Sequence, residues 1–436
     1  MDQISLQNSI LPSERENEAH DIVRQKVLFV VYLLSIVITL FFPSLKSLGK
    51  YVLLPVSLVL MYRYPIFDFL IPSISIFDNE IGTMLFGKFT ILLFYLAALF
   101  FKYMFRRKMK LRPMTLLVIV LASVYFMMGI GTYRMNSIKY VIILLCTGLI
   151  SYEYDMDEEN LGLLLFALYM TAMLQAVTLS FGLTGTIESA ERTTGIGFRD
   201  PNYASAICVF GFCGLVNLSV RDGWKKALQL LGCILLILGV FRSGSRSGML
   251  VILAAIVMRL FMIRGASKKV RYLLTLAVVG AIGAYLLGSG LVRIPNADNL
   301  LRRWTLTFSA MEAHDYGDAT AHRATTAAYY WNYFIRQSPL RVLFGGNVVG
   351  SKELIAVGHG YVTHNVYLDY LLAFGFVFSA VFVYAFLKRT LRYYRAYRET
   401  DSTVFLSIAE IKVAMLLIGA TLAMLQVYQW WFLAII

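Results

Sequence analysis

The chain has 436 residues, of which 58% are hydrophobic and only 15% charged, with a mean hydropathy of +0.67. Soluble domains are about half apolar and about a quarter charged, so an ordinary water-soluble domain is excluded. The formal charge of +14 excludes little until its positions are read.

In chain order, residues 1–26 are polar and mixed in charge, without a signal-peptide cleavage site, and read as a disordered cytoplasmic tail. Apolar runs then recur at 27–42, 84–101, 113–131, 160–181, 201–220, 227–241, 246–263, 270–290, 366–387 and 404–436. Spans of about 20 apolar residues match the hydrocarbon layer, where backbone groups must be satisfied within helices or a closed barrel. Strict apolar/polar alternation is absent, so helices are expected. Between 43 and 83, Pro55, Pro65 and Pro72 interrupt shorter stretches; an even number of crossings before residue 102 favours two there. The last run, 404–436, fits one tilted span or two short ones. The expected fold is all-α, a polytopic membrane helical bundle of about 12 transmembrane helices with one large extracytoplasmic loop carrying short helices. Its divisions are a tail 1–26, a bundle 27–290, the loop 291–363 and C-terminal helices 364–436.

Lys and Arg crowd 102–112, 221–226, 259–271 and 388–398, stretches read as short loops. The positive-inside rule makes these loops cytoplasmic and explains the basicity without nucleic acid. Residues 182–200, 243–245 and 291–363 then face the outer side of the cytoplasmic (inner) membrane. Cys146, Cys208, Cys213 and Cys233 all fall in apolar runs, where a thiol behaves as a small hydrophobe. No metal-ligand spacing and no cofactor motif is present. Asp155-Met156-Asp157 has the form of a metal- and sugar-nucleotide-binding pair but stands in a short acidic loop with no doubly wound domain around it.

The loop 291–363, with the residue that follows it, holds His314, His322, His359 and His364, four of the five histidines. Within it, 320–337 has helical composition and carries Tyr329, Tyr330, Trp331, Tyr333 and Phe334, which suit an interfacial helix at headgroup level. Pro339 closes that helix and Gly345-Gly346 marks a turn. A plain connector with a surface helix is the alternative.

Two strings carry candidate chemistry. The first, Arg-Ser-Gly-Ser-Arg-Ser-Gly at 242–248, puts Arg242 and Arg246 four apart, on one face of a continuous helix; the interleaved Gly and Ser argue for a bent or unwound helix end. A guanidinium grips phosphate oxygens through paired hydrogen bonds and stays charged, although snorkelling to the interface serves the same residues. Upstream on the same face are Arg192, Arg199 and Asp200-Pro201-Asn202; the last is also a helix start, with Asp200 as cap and Pro201 in the first position. The second string is Thr363-His364-Asn365 before the run 366–387. An imidazole there can take a hydroxyl proton at neutral pH, Thr363 or Asn365 can cap the helix, and Asn365 can hold the imidazole or a sugar hydroxyl. A purely structural helix-mouth histidine is the alternative.

Together Arg192-Thr-Thr-Gly, Asp200-Pro201-Asn202, Ser245-Arg246-Ser247-Gly248, Arg323 ahead of Ser338-Pro339-Leu340, Gly345-Gly346, His364-Asn365 with Tyr367-Leu368, and Gly375 resemble the O-antigen ligase and polymerase superfamily of membrane glycosyltransferases. The first half of the chain matches only in hydropathy, and Phe-Gly-Gly-Asn at 344–347 departs from the commoner Gly-x-Gly. The resemblance implies metal-independent, inverting transfer of a saccharide from undecaprenyl pyrophosphate to a glycan or lipid-glycan acceptor. It implies His364 as base, Arg192, Arg246 and Arg323 as phosphate clamp, and Arg199 and Arg242 as second choices. Besides the lipid-linked donor, the acceptor and membrane lipids, a flippase and a chain-length regulator are candidate partners. Polymerase is favoured over ligase. A lipid-linked oligosaccharide flippase is the reading from another class; it calls for charges spread along a central cavity and two similar halves, whereas here they gather on one face.

Overall fold

In the computed structural model of the protein, residues 12–69, 84–86, 89–90, isolated positions between 98 and 120, 157–182, 186–187, 192–193, 201–218, 220, 222–289, 297–315, 322–345 and 363–422 are described. The α-helices among them are α1 (Pro12–Phe41), α2 (Lys46–Arg63), α3 (Glu158–Phe181), α4 (Pro201–Val216), α5 (Gly223–Ser243) and α6 (Arg246–Met262), continuing with α7 (Ala266–Gly288), α8 (Ala297–Glu312), α9 (Arg323–Ile335), α10 (Pro339–Phe344), α11 (Val366–Thr400) and α12 (Thr403–Gly419). Two short hairpins, β1 (Met84–Phe86) with β2 (Phe89–Thr90) and β3 (Thr186–Ile187) with β4 (Arg192–Thr193), and two 3-10 turns, Pro43–Leu45 and Pro65–Phe69, complete the described elements.

Four described helices are long and apolar enough to cross a membrane: His20–Thr39 within α1, then α3, α5 and α11. Their outward faces fit that environment. On α1, Val23, Val27, Val31, Leu34 and Ile38 recur at helical spacing and are all exposed, an apolar stripe that water would not tolerate and lipid would. The centre is α3, α4 and α5 packed side by side, with α12 against α4, and α6 and α11 against α12. Leu168, Ala172, Cys208, Cys213, Leu236, Tyr370 and Ala414 are buried there.

The sequence expectations hold for some elements and fail for others. The runs at 160–181, 201–220, 227–241 and 246–263 correspond to α3, α4, α5 and α6 within a few residues. The supposed disordered tail is helical from Pro12, because its charged residues extend the first apolar helix rather than precede it. The run expected to cross from 84 opens instead with the hairpin β1–β2, whose Met84 pairs with Thr90. Phe-Gly-Lys-Phe at 86–89 is a two-residue hairpin sequence set between β-formers. Only one α-helix, α2 with Pro55 inside it, is described in 43–69, flanked by the 3-10 turns Pro43–Leu45 and Pro65–Phe69; the second expected crossing lies outside the described residues, as does most of the run 113–131.

The basic stretch 388–398 is not a loop, since α11 continues through it to Thr400. Likewise Lys102, expected in a loop, is buried, donating to Asp68 Oδ1 at 2.5 Å and the Met61 carbonyl at 2.7 Å. A fully buried aspartate needs a counter-charge, and Lys102 supplies it. Helix α12 ends at Gly419, and 423–436, which would decide between one tilted span and two short ones, lies outside the described residues.

The bundle has two distinct ends. At one, Lys226, Arg259, Lys268, Arg271 and Thr403 line a cavity; at the other, Arg246, Arg323, His364 and Thr421 line a second. Helix α6 reaches both, and Arg246 to Arg259 is ~20 Å along its axis. Glu158 at the start of α3 accepts from Ser402 Oγ at 2.7 Å, which fixes that helix start at the basic end.

Candidate functional site

The site begins with the break in the Arg-Ser-Gly-Ser-Arg-Ser-Gly string. Helix α5 ends at Gly244 in the left-handed region (φ 62°, ψ 25°), a conformation glycine adopts without steric cost. Ser245 then caps α6, its hydroxyl accepting from Gly248 N at 3.2 Å. A Cβ at Gly248 would lie 2.0 Å from Ser205 Oγ and 3.0 Å from Val240 Cγ1, so any larger residue would require the Ser205 side chain to turn away for α6 to start this close to α4. The expected helix bend is therefore a full break between two helices. It separates the two arginines: Arg242 closes α5 and Arg246 opens α6.

Helix α8 is fastened over this break. Arg303 donates to the Gly244 carbonyl at 2.7 Å, and Thr307, buried, accepts from Arg246 Nη1. Burial first, and the Arg246 charge second, pull the Arg303 guanidinium below its ordinary value. Arg246 in turn feels the charge of Arg323. Three guanidinium groups are thus held near one another.

Arg323 is the first residue of α9, whose position is set by packing. Tyr330 and Phe334 are buried against Leu368 and Leu372 of α11. The opposite face, Trp331 and Ile335, is exposed. A helix does form within the expected stretch, but four of its five aromatics, Tyr329, Tyr330, Tyr333 and Phe334, pack into a small protein core and Trp331 alone among them is exposed.

His364 precedes α11 and takes a left-handed backbone, φ 49°. Its neighbours hold it there. Thr363 is buried and donates through Oγ1 to buried Asp369 Oδ1, while Asn365 caps the helix, accepting from Tyr367 N at 3.0 Å and Leu368 N at 3.2 Å. Asn365, of the two residues weighed for the cap, provides it. Asp369 is the anchor that the Thr363 hydroxyl needs once it is out of water.

Arg246, Arg323, His364 and Asn365 line one cavity of about 410 Å³ together with Thr307 and Trp304. No acidic residue is among its described lining residues. Arg246 and Arg323 are each the first residue of a helix, and Asn365 caps a third, so three helix N-termini meet here. Each brings the positive end of its backbone dipole. A cation is disfavoured at such a terminus unless an anion joins it, so the arrangement is complementary to a multiply charged oxyanion beside a titratable imidazole.

Other expected site residues are placed elsewhere. Arg242 does not line the cavity, because the Gly244 break turns α5 away from α6; its buried Nε has no hydrogen-bond partner among the described residues. Asn202 is buried in the first turn of α4, where the helix does start at Pro201, and it does not line the cavity either. For Arg192 the backbone is described, in β4 paired with Ile187, and that hairpin packs on α5. Arg199 and Asp200 lie outside the described residues, as does His359. Asp157, half of the acidic decoy, caps α3 by accepting from Glu159 N at 3.0 Å and Asn160 N at 3.3 Å.

Arg303, Trp304 and Thr307 were not foreseen. Their signal is the amphipathic spacing of 297–312, which places Arg303 and Thr307 on one helix face. No family model matches the chain, and neither a curated protein nor a solved structure matches it.

Proposed function

We propose that this chain is a membrane glycosyltransferase that joins undecaprenyl-pyrophosphate-linked oligosaccharide units at the outer face of the cytoplasmic membrane, by metal-independent inverting transfer. The observation that supports it is the shared cavity: Arg246 and Arg323 beside His364 and Asn365, with no carboxylate in the lining. In this reading the chain crosses the membrane about 12 times, with the His364 end outward and the basic end in the cytoplasm.

The acceptor hydroxyl attacks the anomeric carbon from the face opposite the pyrophosphate. His364 takes the hydroxyl proton as the new C–O bond forms. The bond from carbon to pyrophosphate oxygen breaks, and its electron pair leaves as added negative charge. Arg246 and Arg323 receive that charge in a partly desolvated site, where losing one such donor typically costs roughly 3 kcal/mol of barrier. Leu250, Trp304 and Met311 give the same cavity an apolar side for the polyprenyl chain.

The test is His364→Ala expressed in cells lacking the chromosomal copy. Polymer should disappear and lipid-linked single units accumulate, with membrane insertion unchanged. Polymer of normal length would remove His364 as base. Full-length chains left on the lipid carrier would reassign the enzyme as a ligase, which moves finished glycan to an acceptor by the same chemistry.

A further inference from the structure

The end of the bundle away from His364 holds the larger of the two cavities, about 560 Å³, a size that takes a small ligand. Its walls come from the ends of separate helices: Lys226 from α5, Arg259 from α6, Lys268 and Arg271 from α7. The one acid in the described lining, Asp401, is already committed to Lys268 at 2.6 Å. Lys226 and Arg271 are exposed and have no acidic partner among the described residues.

The innermost base, Arg259, is built in. Its Nη1 donates to Asn217 Oδ1, Asn217 Nδ2 donates to Glu410 Oε2 at 2.5 Å, and Arg259 lies 4.0 Å from that carboxylate. The Tyr272 ring stacks on the guanidinium, 5.0 Å away at its centroid. With all this, Arg259 Nε is buried and has no hydrogen-bond partner among the described residues. A held guanidinium lining a cavity that also carries two cations without an acidic partner among the described residues is a receptor for an anion.

The geometry points to a phosphate-binding site, and we propose that its ligand is the headgroup of an anionic phospholipid from the leaflet at that end. The outward faces of the two flanking helices carry the argument for a lipid. Leu228 and Leu231 on α5 and Val270, Leu273 and Leu274 on α7 are exposed within two turns of Lys226 and Arg271, so acyl chains can lie along these helices while the phosphate enters. A soluble phosphate compound is the other source of the same chemistry. The proposal does not depend on glycosyl transfer.

The full chain, delipidated in neutral detergent, would be titrated with phosphatidylglycerol or phosphatidylcholine and followed by native mass spectrometry and thermal unfolding. Phosphatidylglycerol should bind at least about tenfold more tightly. The exposed double variant Lys226→Gln/Arg271→Gln should lose most of that preference while unfolding, without lipid, at the wild-type temperature. Displacement of phosphatidylglycerol by millimolar inorganic phosphate would support the phosphate site and assign it to a soluble ligand. Equal binding of the two lipids, or unchanged preference in the double variant, would overturn it.

Discussion

His364 holds a left-handed backbone at φ 49°, a region that L-residues other than Asn, Asp and His rarely enter. The conformation costs a non-glycine residue about 1 kcal/mol or more, and the Thr363–Asp369 hydrogen bond and the Asn365 cap hold the chain in it. Two substitutions separate backbone from side chain. Both His364→Ala and His364→Gly remove the imidazole, but glycine relieves the strain. Thermal unfolding in detergent should therefore find His364→Gly more stable than His364→Ala by about 1 kcal/mol, with both inactive. Equal stability would mean that the loop takes its shape without strain at this residue.

Helix α11 depends on a different pair of residues. At Gly375 its backbone leaves helical geometry (φ 71°, ψ −178°), which splits off a short N-terminal piece that carries Asn365 at its mouth. Gly345, after α10, has φ 74° and rests against this break: a Cβ on Gly375 would stand 2.3 Å from Gly345 N, and one on Gly345 2.4 Å from the Ala373 carbonyl. The obstruction on each side is backbone, which cannot rotate away. Gly375→Ala combines a glycine-only conformation with that clash and should destabilise the protein by about 3 kcal/mol or more. It should also displace His364 and lower transfer, measured as melting temperature and polymer yield of the purified and expressed variant. Wild-type values for both would show that α10 does not lock the split helix. Both glycines are visible in the sequence; their contact is not, since 30 residues separate them.

For the molecule as a whole, the separation of the two cavities makes sidedness testable. Three of the four cysteines are described, and Cys208, Cys213 and Cys233 are buried, so introduced thiols should report against a low background. Met311→Cys, exposed at the His364 end, should react with a membrane-impermeant maleimide in intact spheroplasts. Lys226→Cys, exposed at the basic end, should react only after permeabilisation. The reverse labelling would turn the bundle over and place the His364 cavity inside the cell.

The apolar runs determine that helices form and roughly where, because a 20-residue hydrocarbon-length segment has few other ways to satisfy its backbone. Local chemistry also marks 242–248 as a bent or unwound helix end and offers Arg246 and His364 as residue types suited to phosphate binding and proton transfer; Arg323 is added only by the resemblance. That these three share a cavity while Arg242 and Asn202 do not was decided by tertiary packing. One left-handed glycine redirects the chain between two arginines four residues apart, and α8 and α9 are laid over the break by contacts to residues 59 to 61 positions away or on another helix. Periodicity reports which face of a helix is apolar. It carries no information about which distant helix that face will meet, because that choice depends on the shape of the joint surfaces.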